Sequence, residues 1–91
     1  YELRQNEPNP FNPSTHIAFT LAREERATLA VFDVAGRRVR TLFEGVLPAG
    51  IEQVSRWDGR DALGRAVASG VYLCRLETPR FFQSRKMVLA R

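Results

Sequence analysis

Hydrophobic and polar residues alternate with period two through most of the chain, the pattern of strands with one buried face. THIAFTL (15–21) puts Ile17, Phe19 and Leu21 on one face and His16, Ala18 and Thr20 on the other. ATLAVFDV (27–34) sets Leu29 and Val31 against Ala30, Phe32 and Val34. RRVRTLF (37–43) gives a third strand around Val39 and Leu42. EGVLPAG (44–50) reads as a turn, punctuated by Gly45, Pro48 and Gly50. IEQVSRW (51–57) is a fourth strand whose alternation is poor. DGRDALGRAVASG (58–70) is a long loop with a short strand at Arg65–Ala68. VYLCRLE (71–77) alternates Val71, Leu73 and Arg75 against Tyr72, Cys74 and Leu76, and FFQSRKMVLAR (81–91) closes the chain as a final strand. A helix over LAREERATLAVF fails against its β-rich continuation and Gly36. Six or seven short strands with regular turn signals predict an all-β fold, an antiparallel β-sandwich.

Two turns share one local code. Asp33–Arg37 and Asp61–Arg65 both read D-x-x-G-R. The Asp side chain can accept from a backbone N–H two or three residues on, and the Gly supplies the left-handed backbone that closes a three-residue loop. Gly36 then joins the second strand to the third, and Gly64 the fourth to a short fifth.

The stretch before the first clear strand is of another kind. QNEPNPFNP (5–13) holds three X-Pro steps, at Pro8, Pro10 and Pro13. Each Pro lacks an N–H and fixes φ, and each preceding residue is pushed away from helix. Residues 1–14 therefore read as an extended Pro/Asn-rich leader packed on a sandwich of residues 15–91. Asn9 and Asn12 are expected in side-chain turns, and Phe11 as the leader's apolar anchor, buried.

Composition adds limits. Ninety-one residues make one domain, and an apolar share of 44% suits a packed core. No apolar run approaches the ~20 residues that span a bilayer as a helix. The chain opens at Tyr1 without an initiator Met and reads as a piece of something longer. The net charge of +4 rests on arginines scattered from Arg4 to Arg91 with ten acids among them, so it describes a dispersed surface rather than a nucleic-acid site. One cysteine, Cys74, excludes an internal disulfide and reads as a small buried hydrophobe. Pro13 blocks the glycosylation pattern at Asn12–Ser14.

Candidate chemistry is sparse. Asp58 and Asp61 in WDGRD are too few carboxylates for a calcium site and sit beside Arg60 and Arg65. The single His16 belongs to a strand, and no G-x-S-x-G elbow is present. No enzyme, cofactor or metal is expected. Trp57, with Tyr72, Phe81 and Phe82, could stack a sugar, but a lone Trp at a strand end reads first as a core plug. The strands RATLAVF, VYLCRL and KMVLA are prone to edge pairing, a hazard or a means of docking.

The ordered blocks QNEPNPFNPSTHIAFTL, LAVFDVAGRRVRTL, PAG, WDGRDALGRAVASGVYLCRL and RKMVLAR resemble the C-terminal sorting domain (type A) of the type IX secretion system, over residues 3–91. They are also similar to the Ig-like domain of flagellar hook-capping proteins. The resemblance implies an Ig-like sandwich of about seven short strands at the end of a long secreted protein. It implies an exported chain at the outer-membrane surface or outside the cell, read by outer-membrane secretion machinery and fused to an upstream cargo protein. Its signal elements map onto Asn9, Pro10, Gly36, Gly70, Tyr72 and the basic end Lys86–Arg91, including Met87 and Val88, with Phe11 and Trp57 as anchors. The family places six residues from the Gly of PAG to the Trp of WDG, and this chain has seven, from Gly50 to Trp57. An odd insertion reverses side-chain facing, so a β-bulge within Glu52–Arg56 is expected. Two other functions are carried forward: a structural subunit of an extracellular assembly built by strand docking onto neighbouring subunits, and a carbohydrate-binding module using Trp57.

Overall fold

A computed structural model describes all residues 1–91. The strands are β1 (Glu2–Leu3), β2 (Thr15–Thr20), β3 (Glu25–Asp33), β4 (Arg38–Leu47), β5 (Gln53–Trp57), β6 (Gly70–Thr78) and β7 (Phe81–Leu89). They form two antiparallel sheets, ordered β1-β2-β5 and β4-β3-β6-β7, with no helix. This is an Ig-like β-sandwich. The inward faces carry the core: Leu3, Ile17 and Phe19 from one sheet meet Leu29, Val31, Cys74, Leu76, Met87 and Leu89 from the other. Trp57 lies wholly buried among them, its ring 5.2 Å from Tyr72 and 5.5 Å from Phe11.

Strand β4 departs from simple alternation. Its apolar residues Val39 and Leu42 are three apart, a spacing that a regular strand would split between its two faces. The pairing with β3 resolves the conflict. Register runs Leu29↔Phe43, then Ala30↔Thr41, and Val31↔Arg40, then Phe32↔Arg38. Leu42 and Val39 are thus extra residues in two bulges, and both pack against the core.

The structure departs from the sequence pattern at three places. Glu44–Gly50 is not wholly a turn, because Glu44–Leu47 extends β4 against Glu25–Thr28. A paired neighbour outweighs the local Gly45 signal, and only Pro48–Gly50 turns. No strand forms at Arg65–Ala68: the loop makes a single bridge, Arg60↔Ala66, and is held by Val67 N donating to the Gly59 carbonyl. No bulge lies within Glu52–Arg56. Pairing with β2 is unbroken from Phe19↔Gln53 to Thr15↔Trp57. Ser55 and Trp57 face inward while Val54 and Arg56 face out. The extra residue is absorbed before the strand, where Ile51 and Glu52 are exposed and lie outside the strand pairing.

The leader pairs with both sheets. Leu3 opposes Phe19 and is fully buried. Glu7 exchanges two 2.9 Å backbone hydrogen bonds with His16. Asn6 is buried, and its Nδ2 donates to the Pro8 carbonyl and to Thr15 Oγ1, both at 3.1 Å. Phe11 then bridges to Leu89 in parallel fashion. Its N–H donates to the Val88 carbonyl at 3.0 Å, and its carbonyl accepts from Ala90 N at 2.9 Å. Only 2% of Phe11 is exposed.

Phe11→Ala removes a ring enclosed by Trp57 and the β7 end. A loss of about 3–5 kcal/mol is expected in urea unfolding, and a loss under about 1 kcal/mol would contradict this packing. Burial raises the Cys74 thiol to about 12. The native protein should therefore resist thiol reagents at mildly alkaline pH and react on unfolding. Rapid labelling of the folded protein would contradict the burial.

Candidate functional site

The twin D-x-x-G-R turns are near copies. Asp33 Oδ1 accepts from Ala35 N (3.0 Å) and Arg37 N (2.9 Å), while Arg37 Nε donates to Oδ2 at 3.0 Å. Asp61 Oδ1 accepts from Leu63 N (2.9 Å) and Arg65 N (3.0 Å), with Arg65 Nε donating to Oδ2 at 3.2 Å. The glycines close each turn at φ 84° and 80°, where a side chain would strain the backbone. Ala62 N donates to the Val39 carbonyl, which sets the second turn beside the start of β4 and close to the first.

Antiparallel register gathers distant residues around these turns. Asp33 opposes Tyr72, and Gly70 opposes Leu89. The end of β3, the starts of β4 and β6 and the end of β7 therefore meet at one end of the sandwich. An open hollow of about 460 Å³ lies there, lined in part by Asp33, Val34, Arg37, Ser69, Val71 and Tyr72. Val34 is 77% exposed at its lip. Arg91 ties the chain end to this region: its N–H donates to Ser69 Oγ and its guanidinium to the Val67 and Gly59 carbonyls. Asn9 Oδ1 accepts from Val88 N at 2.9 Å, and Gln5 Nε2 donates to the Lys86 carbonyl at 2.7 Å.

Of the residues singled out from sequence, Asn9, Lys86, Met87 and Val88 thus lie along the leader–β7 seam, Gly70 and Tyr72 line the hollow, Gly36 closes the turn beside it, and Arg91 is tied to Ser69 near it. Pro10, Gly36, Gly70, Lys86 and Arg91 are exposed, whereas Tyr72 and Met87 face the core. Asn9 reaches across to β7 rather than making a turn within the leader. The carbohydrate reading that used Trp57 is overturned, because the indole is fully buried and its N–H donates to the Arg60 carbonyl. Asp58 serves the fold, pairing with Arg40 at 2.9 Å and accepting from Arg60 N. Sequence reading passed over Asn6 and Thr15, whose buried hydrogen bonds anchor the leader; their only signal is a polar pair flanking three prolines.

The polar groups around the hollow are committed to structure. Tyr72 Oη donates to the Ala68 carbonyl at 2.6 Å, and the Asp33 carboxylate is filled by its own turn. What the hollow presents is its shape, two exposed valines (Val34 and Val71) and the exposed Arg37 side chain, whose Nε is bonded to Asp33.

A family model described as "FlgD Ig-like domain" matches residues 8–79. Among curated proteins, none matches. Dimeric latent PorU from Porphyromonas gingivalis is similar in structure, with TM-score 0.69 and 19% identity over 94% of this chain. PorZ of the same organism is similar with TM-score 0.64 and 24% identity over 96% of it. This chain spans 9% of the PorU chain and 11% of the PorZ chain. At such identities the likeness is one of fold.

Backbone hydrogen bonds from Arg37 hold the Asp33 carboxyl below the ordinary carboxylate value, and those from Arg65 do the same for Asp61. A depressed folded-state pKa stabilises above the unfolded value, about 3.9, and that stability is lost as pH falls through the folded pKa. Carboxyl titration by NMR should place both groups below the ordinary range, and Asp33→Asn should flatten the acid limb of the stability curve. Ordinary titration of both carboxyls would contradict the turn geometry.

Proposed function

The chain belongs to the FlgD Ig-like domain family, and from that premise we propose that it is a non-catalytic sorting and surface-anchoring module, recognised by outer-membrane export machinery of the type IX kind. It serves a longer protein whose upstream cargo performs the activity. The module itself ends up exported, at the outer-membrane surface or outside the cell. One observation carries the reading. Residues far apart in sequence, from Asn9 to Arg91, meet at one end of the sandwich in a leader–β7 seam and a shaped hollow whose polar groups serve the fold. That is a surface to be read rather than one that reacts. PorZ, which shares the fold, is described as an essential bacterial surface component of the type-IX secretion system.

The alternative of a subunit built by strand docking gains less support. The leader that would reach a neighbour folds back instead and bonds to Lys86, Val88 and Ala90 of its own chain.

The direct test fuses residues 1–91 to a periplasmic reporter in a host that has this secretion system. The reporter should reach the surface or the medium. Val34→Asp, at an exposed position, should reduce export severalfold without lowering the melting temperature. A reporter held in the periplasm, while an established sorting domain exports it, would overturn the proposal.

A further inference from the structure

Beyond the residues that line the hollow, the outer face of the four-stranded sheet carries an unusual row. Arg38 (β4) stands 5.4 Å from the Phe32 ring centroid (β3). Arg75 (β6) stands 6.0 Å from Phe32 and 4.6 Å from the Phe82 ring (β7). Cations and aromatic rings alternate across all four strands. The register explains the stack: Phe32 opposes Arg38 and Leu73, Ala30 opposes Thr41 and Arg75, and Leu73 opposes Lys86. Ala30 is small and 1% exposed on this outer side, which lets the Arg75 side chain lie flat.

We propose that this face docks an acidic protein segment, an extended stretch with carboxylates for Arg38, Arg75 and Lys86 and an apolar side chain for Phe82.

Four observations support it. Arg38, Arg75 and Lys86 lie within salt-bridge distance of no carboxylate; Arg23, Arg56, Arg60, Arg80, Arg85 and Arg91 share that state, but none of them is a member of the stack. Arg75 Nε is buried without a hydrogen-bond partner, so the stack is held with donor capacity unspent. Phe82 is 65% exposed, and an aromatic ring stacked on an arginine at an open surface is a common anchor for a partner. The spacing also suits an extended chain. Arg38 and Lys86 are three strand spacings apart, about 14 Å, which about four extended residues span.

The face also selects against other anions. Glu44 and Glu77 lie on it, in register with Thr28 and Phe82. They repel a continuous polyphosphate but leave room for separate carboxylates placed over the arginines. A second copy of this chain, with net charge +4, would bring like charge against like. The proposal does not depend on the sorting role, although Lys86 belongs both to the leader–β7 seam and to this face.

The test titrates the 91-residue protein with a glutamate–tyrosine copolymer at about 0.15 M salt, followed by NMR at the Arg75 Nε–H and the Phe82 ring. Saturable shifts confined to Phe32, Arg38, Arg75, Phe82 and Lys86 are expected. Phe82→Ala, which leaves charge unchanged, should weaken binding about tenfold, as should Arg38→Gln, with both variants melting like the parent. Unchanged affinity in Phe82→Ala would reduce the effect to net charge and overturn the proposal. Shifts centred on Arg37 and Arg91, the absence of saturable shifts, or equal or tighter binding of a DNA duplex to this face would also overturn it.

Discussion

The bridge between Phe11 and Leu89 is the contact on which the rest of the arrangement depends. A sandwich leaves its last strand with one open edge, and β7 is such an edge. The leader closes the carboxyl half of that edge. Phe11 supplies the backbone pair, Asn9 a side-chain acceptor and Gln5 a side-chain donor. The prolines suit this task because a segment poor in N–H donors cannot propagate a sheet outward. The same bridge drives the Phe11 ring against Trp57, so the cover is fastened from inside the core. Leader and final strand become one surface at the end that also holds the hollow.

Legibility in the sequence followed the range of the interaction. The strands THIAFTL and VYLCRLE alternate cleanly because one face of each is buried and their partners are regular. The D-x-x-G-R turns were readable as Asp-held, Gly-closed loops, since every partner lies within four residues, but the bonded N–H groups are two and four residues on rather than two or three. The β4 bulges were not, although Val39 and Leu42 carry the clue in their spacing of three. Which residue bulges depends on β3, a separate strand. The expected bulge in β5 failed for the complementary reason: a loop of exposed residues takes up an insertion with less disruption than a paired strand does.

The residues singled out for function were dispersed in sequence, and their convergence follows from register. Gly70 meets Leu89, and Tyr72 meets Asp33, only once β6 is placed between β3 and β7. The Arg38–Phe32–Arg75–Phe82 stack lay below the reach of sequence reading. It involves four strands, and each member alone is an ordinary surface residue. The charge stays dispersed in three dimensions, but the fold sets Arg38 and Arg75, which pair with no carboxylate, against Phe32 and Phe82 on one sheet face.

The central claim is that the leader closes the β7 edge, and amide hydrogen exchange at Val88 and Ala90 tests it most directly. Both N–H groups point away from β6, toward Asn9 and Phe11. If the leader is fastened as described, both should exchange as slowly as amides inside β6. Exchange at the rate of a solvent-facing edge, with β6 still protected, would contradict the account.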